Sequence, residues 1–82
     1  MINAVRAQWE LDLDRAKKEL PKIGGWRYTK IKQYANAACD RGMRRPAELF
    51  IVNCWRHLKY RNYHSCDEII LNFYHYVLEG QI

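Results

Sequence analysis

Apolar positions recur along this chain in steps of three and four, the period of an amphipathic helix. Ile2, Val5, Trp9, Leu13, Ala16 and Leu20 share one face of a first helix, expected over Ile2 to Leu20. Pro21 is expected to stop it, because the residue before a proline is pushed out of the α region. Lys17 and Lys18 then fall in its last turn, where the helix dipole favours cations, and Asp14 with Lys18 makes an i,i+4 pair. The stretch KIGG follows as a break, its two glycines permitting a reversal.

The second helix is expected over Tyr28 to Arg41, with Tyr28, Ile31, Ala35 and Ala38 inward and Gly42 as a left-handed cap. Pro46 suits the first position of a third helix and Glu48 its first turn. Ala47, Phe50, Ile51, Cys54, Trp55 and Leu58 then mark a wide buried stripe ending near Arg61, with Asn62 in the left-handed region. The run SCDE reads as a capping box that starts a fourth helix at Ser65. Cys66, Ile69, Ile70, Phe73 and Val77 form its inner face, and Gly80 closes it. The pattern predicts one compact all-α domain over residues 1–82, a four-helix arrangement with short loops.

Composition sharpens this picture. At 82 residues the chain sits near the lower size limit for a self-supporting core. Three tryptophans, six tyrosines and two phenylalanines supply large rings to fill that core. A homodimer is compatible with so small a domain. No apolar run reaches the ~18–20 residues that span a bilayer, and the N-terminal residues lack a signal-peptide pattern. Cys39, Cys54 and Cys66 form no close pair, which suits a reducing compartment. The expected setting is cytoplasmic and away from membranes.

Chemistry-bearing residues cluster in CWRHLKYRNYHSC, residues 54–66. Cys54, His57, His64 and Cys66 can be drawn as four zinc ligands, but their spacing matches no common zinc module. Core thiols and surface histidines are the preferred reading, with no cofactor and no metal. No phosphate loop, GxSxG elbow or HExxH is present. A Cys54–His57 nucleophile pair is disfavoured, because burial in an apolar stripe raises a thiol's pKa. The chain is expected not to be an enzyme.

Charge changes the picture most. Residues 1–14 carry one base and three acids, residues 15–45 ten bases and two acids, and residues 46–82 three bases and four acids. The middle segment thus carries +8, against −2 and −1 on its flanks for a net of +5, and is interleaved with Trp26, Tyr28 and Tyr34. If helix two is exposed along one side, it offers a basic strip to a phosphate backbone. The contact residues expected on this reading are Lys18, Lys22, Arg27, Lys30, Arg41, Arg44 and Arg45. They imply a small, basic, non-catalytic protein acting on nucleic acid or on nucleic-acid machinery.

Two other classes fit the same composition. Trp, Tyr and Arg dominate protein interfaces, so a phage or mobile-element inhibitor or adaptor, anti-CRISPR-like or polymerase-binding, is an alternative. A helical dimerisation module is another, with Leu11, Leu49 and Val52 as its partner surface. The segment IVNCWRHLKYRNYHSCDEIILNFYHYVLEG also resembles part of phage Q-type antitermination regulators. Leu58, Lys59, Asn62, Tyr76, Val77 and Gly80 carry the likeness over 30 residues. Glu79 is extra to that pattern and no helix-turn-helix follows Gly80. The resemblance implies a phage regulatory setting.

Overall fold

A computed structural model describes residues 6–79. It is an all-α arrangement of four helices: α1 (Gln8–Ile23), α2 (Gly25–Asp40), α3 (Arg44–Lys59) and α4 (Tyr63–Phe73). A π-helical turn, Tyr74–Glu79, continues α4. No strand occurs among the described residues. The Cα extents of 44 × 31 × 18 Å leave room for two helix layers across the thin direction. Ile2, Val5 and Gly80, assigned to the first helix and the last cap by pattern, lie outside the described residues.

Helix α3 is the hub. It packs against α1, α2 and α4, whereas α1 and α2 touch each other sparingly. That explains why α3 buries more than one stripe: Val52 is buried along with Ala47, Phe50, Cys54, Trp55 and Leu58. Val52 therefore cannot serve the partner surface expected of it. The core joins these to Ala16 and Leu20 from α1, Ile31, Ala35 and Ala38 from α2, and Cys66 and Ile70 from α4. The alanines let α2 approach α3 closely. Phe50 stacks on Phe73, centroids 3.9 Å apart, and locks α4 onto α3.

Polar ties fix α1. Asp12, buried at 7% exposure, accepts from Arg56 Nη2 at 2.8 Å and Nε at 3.1 Å, and from Gln8 at 3.1 Å. These hydrogen bonds from Arg56 and then Gln8 hold its carboxyl below the usual range, against the opposing effect of burial. Trp55 Nε1 donates to Glu19 at 3.0 Å. Asp14 pairs with Arg6 at 2.9 Å, and the expected Asp14–Lys18 pair does not form.

Several element ends differ from the sequence expectation. Pro21 does not stop α1, which runs on to Ile23. A proline in the closing turn forfeits one backbone donor, while Gly24 N–H still caps Leu20 at 3.1 Å. Only Lys22 then lies in the last turn. Helix α2 begins at Gly25, so the reversal is made by Gly24, at φ 63°, ψ −156°, together with Gly25 at φ 76°. The Gly24 conformation is open to glycine and hardly to other residues. Helix α3 starts at Arg44, two residues before Pro46.

The end of α3 carries a more informative difference. Asn62 N–H reaches His57 O at 2.9 Å and Arg61 N–H reaches Leu58 O at 3.0 Å. The same six-to-one and five-to-two bonds close α2 through Met43 and Gly42. The left-handed position in the second motif is Arg61, φ 59°, not Asn62. Asn62 is needed one residue later, where its side chain accepts from Ser65 N–H at 3.4 Å as the N-cap of α4. Ser65 therefore lies inside the first turn, and the expected SCDE capping box is not used.

Candidate functional site

The sparse contact between α1 and α2 leaves a groove whose floor is α3. Its two ends share Lys17, Ala35, Asn36 and Ile51, so they form one continuous channel. One end is lined further by Leu20, Tyr28 and Lys32, the other by Cys39, Arg44 and Glu48. Three cations from three helices thus face one groove: Lys17 of α1, Lys32 of α2 and Arg44 of α3. Arg44 Nε approaches Glu48 at 3.4 Å, yet the arginine side chain stays 81% exposed. Lys32 Nζ stands 6.0 Å above the Tyr28 ring. Lys17 and Lys32 have no carboxylate partner among the ion pairs of the described residues.

The opposite flank of α2 holds a second cleft. Residues two apart on a helix point about half a turn away from each other. Trp26 and Lys30 therefore face away from Tyr28 and Lys32, toward α4 and its π-helical end. This cleft, about 410 Å³, is lined by Trp26, Lys30, Tyr34, Leu71, Tyr74 and His75, with Asp67 and Ile70. Tyr34 and Tyr74 meet at 5.3 Å with planes 41° apart, and Lys30 Nζ lies 5.6 Å above Tyr34. The crest of α2 between the two flanks carries Thr29, Gln33 and Asp40, all exposed. The expected basic strip along an exposed face of α2 is thus replaced by cations on two flanks.

The seven expected contact residues do not form a single cluster. Lys18 and Lys22 are exposed on α1. Arg27 is committed to structure: Nε and Nη2 donate to Asp67 at 2.7 and 2.9 Å, and the guanidinium lies 4.6 Å from the Trp26 ring and 4.7 Å from Tyr63. The hydrogen bonds to Asp67 raise its already high pKa further. Lys30 lines the aromatic cleft. Arg41, at the far end of α2 by ~21 Å of helix rise, donates to Ala37 O at 2.9 Å. Arg44 lines the basic groove, and Arg45 sits 4.7 Å from the Trp9 ring.

Lys17 and Lys32 are the groove cations that the expected set omits. The spacing of Tyr28, Lys32, Ala35, Asn36 and Cys39 marks one face of α2 and carries the signal for Lys32. The position of Lys17 depends on how α1 crosses α3, which no local pattern encodes.

Cys54 and Cys66 lie fully buried, side by side in the core. The neighbouring Cys66 thiol and burial push the Cys54 thiol up. His64 Nε2 and His75 Nδ1 each pair with a glutamate at 3.0 Å, Glu68 and Glu79. Among the described residues, no group of three or more His, Cys, Asp or Glu side chains is placed to hold a metal. Nor is any described helix long and apolar enough to cross a membrane. No known protein family, curated protein or solved structure matches the chain.

Proposed function

We propose that the chain is a small, non-catalytic binding module that holds the phosphate backbone of a nucleic acid in the α1–α2 groove. The observation that carries this reading is the convergence of Lys17, Lys32 and Arg44, from three helices, on one channel. Backbone contact needs cations at a spacing that follows a chain of phosphates, and it needs no base-edge readout. Each neutralised phosphate releases counterions, so affinity falls steeply with salt.

Charge reversal separates this groove from the rest of the basic segment. The Lys17→Glu/Lys32→Glu variant abolishes binding of a fluorescent oligonucleotide at low salt, while Arg45→Glu, engaged on Trp9, leaves most of it. Equal losses in both variants would count against the groove.

A second reading, a protein partner, rests on a different surface. Between α3 and α4 lies a cleft of about 320 Å³ lined by Pro46, Leu49, Phe50, Ile69, Tyr76 and Val77, with Asn53, Asn72 and Phe73. No lining residue is charged, Tyr76 is 80% exposed, and Leu49 stands at its rim. An uncharged apolar cleft of this kind fits an inhibitor or adaptor that covers another protein. A Leu49→Asp variant that loses a captured partner but keeps oligonucleotide binding would assign activity to this face.

A further inference from the structure

We infer that the aromatic cleft between α2 and the π-helical end of α4 takes an unpaired nucleobase, so that the nucleic acid bound is single-stranded. This rests on the phosphate-groove reading and adds the class of strand. Three rings stand around one opening: Trp26, 54% exposed, Tyr74, 39% exposed, and the half-buried Tyr34. A base has two apolar faces and stacks on such rings whatever its identity. In a duplex those faces are covered by neighbouring pairs, so only an unpaired base can enter.

The charges at the rim suit a nucleotide. Lys30 places a cation over Tyr34, within reach of a phosphate attached to a stacked base. Asp67, the lining acid, has both oxygens occupied by Arg27 and its charge is offset. His75 is held by Glu79 and meets Tyr74 in a T-shaped pair, centroids 5.5 Å apart. The π-helical turn matters to this geometry. It packs against α2 and brings Tyr74 opposite Tyr34, and helix irregularities of this kind are frequent at functional sites. Lys30 and Lys32 sit on opposite flanks of the same helix, so a strand crossing α2 contacts both clefts.

Three probes tell the two parts apart: oligothymidylate, a DNA duplex of equal length, and inorganic polyphosphate. The groove binds all three; the cleft adds affinity for oligothymidylate only. Trp26→Ala and Tyr74→Ala each weaken oligothymidylate binding about 5- to 100-fold, leaving duplex and polyphosphate affinities and the salt dependence unchanged. Trp26→Phe, which keeps a ring, recovers most of the loss. In the amide spectrum, oligothymidylate shifts the Trp26 indole signal and leaves that of Trp55, bonded to Glu19, in place.

If oligothymidylate moves Lys17 and Lys32 but not the Trp26 indole, or if both alanine variants bind it normally, the inference is overturned. The groove reading then survives and the cleft belongs to another occupant, such as an apolar peptide. If polyphosphate and duplex fail to bind while the Trp26 indole still responds, the groove reading falls and the cleft stands.

Discussion

Arg27 and Asp67 join α2 to α4 through two hydrogen bonds of 2.7 and 2.9 Å, with the guanidinium held between the rings of Trp26 and Tyr63. A fork with this many partners is a structural tie, and its charge is already offset. Arg27→Met is therefore expected to lower the melting temperature without altering the salt dependence of oligonucleotide binding. Arg27→Lys should also lower it, because an ammonium cannot make the paired contact or stack between the rings. Thermal melts and binding isotherms at several salt concentrations check both.

Asp12 sets an acid limit on stability. Its carboxyl titrates below the ordinary range because Arg56 and Gln8 donate to the charged form. A lowered folded-state pKa contributes stability above the unfolded value, about 3.9. That contribution is lost as pH falls through the folded value. Stability measured by urea unfolding should therefore decline below about pH 4, and more gently in Asp12→Asn, which is less stable than the parent at pH 7. A parallel decline in both proteins would remove Asp12 as the cause.

The three cysteines differ in access. Cys39 is exposed and lines the basic groove, whereas Cys54 and Cys66 are buried. One thiol equivalent should react quickly with a chromogenic disulfide reagent in the native protein, and three after unfolding in denaturant. Cys39→Ser should abolish the fast phase. Oligonucleotide bound in the groove should slow it.

Arg61 occupies the left-handed position that Gly42 fills at the end of α2. A side chain in that region costs roughly 1–2 kcal/mol, part of which glycine gives back through its freer unfolded chain. Arg61→Gly should stabilise the protein by about 0.5–1 kcal/mol, read as a higher urea midpoint with an unchanged slope.

Periodicity made the helices legible. The buried stripe from Ala47 to Leu58 and the inward Ile31, Ala35 and Ala38 follow from spacing alone, because a helix that buries one face repeats every three to four residues. The ends were less legible, since they turn on competition between neighbours. Asn62 can serve either as the left-handed residue of one helix or the cap of the next, and the second use displaces the first onto Arg61. Pro21 forfeits its own donor without ending α1, because the Gly24 N–H still closes the last turn on Leu20.

The charge block was visible, but its arrangement was not. Lys30 and Lys32 look equivalent in the chain and lie on opposite flanks of α2. Arg27 looks like a surface cation and is a tie to α4, because its partner Asp67 lies 40 residues away. Val52 falls off the main stripe of α3, yet it is buried because α3 is packed on several sides.

The salt dependence of oligonucleotide affinity tests the groove most directly. Three phosphate contacts give a slope of log K against log salt of about −2 for a single strand. Replacing Lys17, Lys32 and Arg44 together by glutamine should remove that contribution, leaving only the shallow slope of the Lys30 contact, about −0.7, while the melting curve stays cooperative. A folded triple variant that keeps the parent's slope would contradict the account.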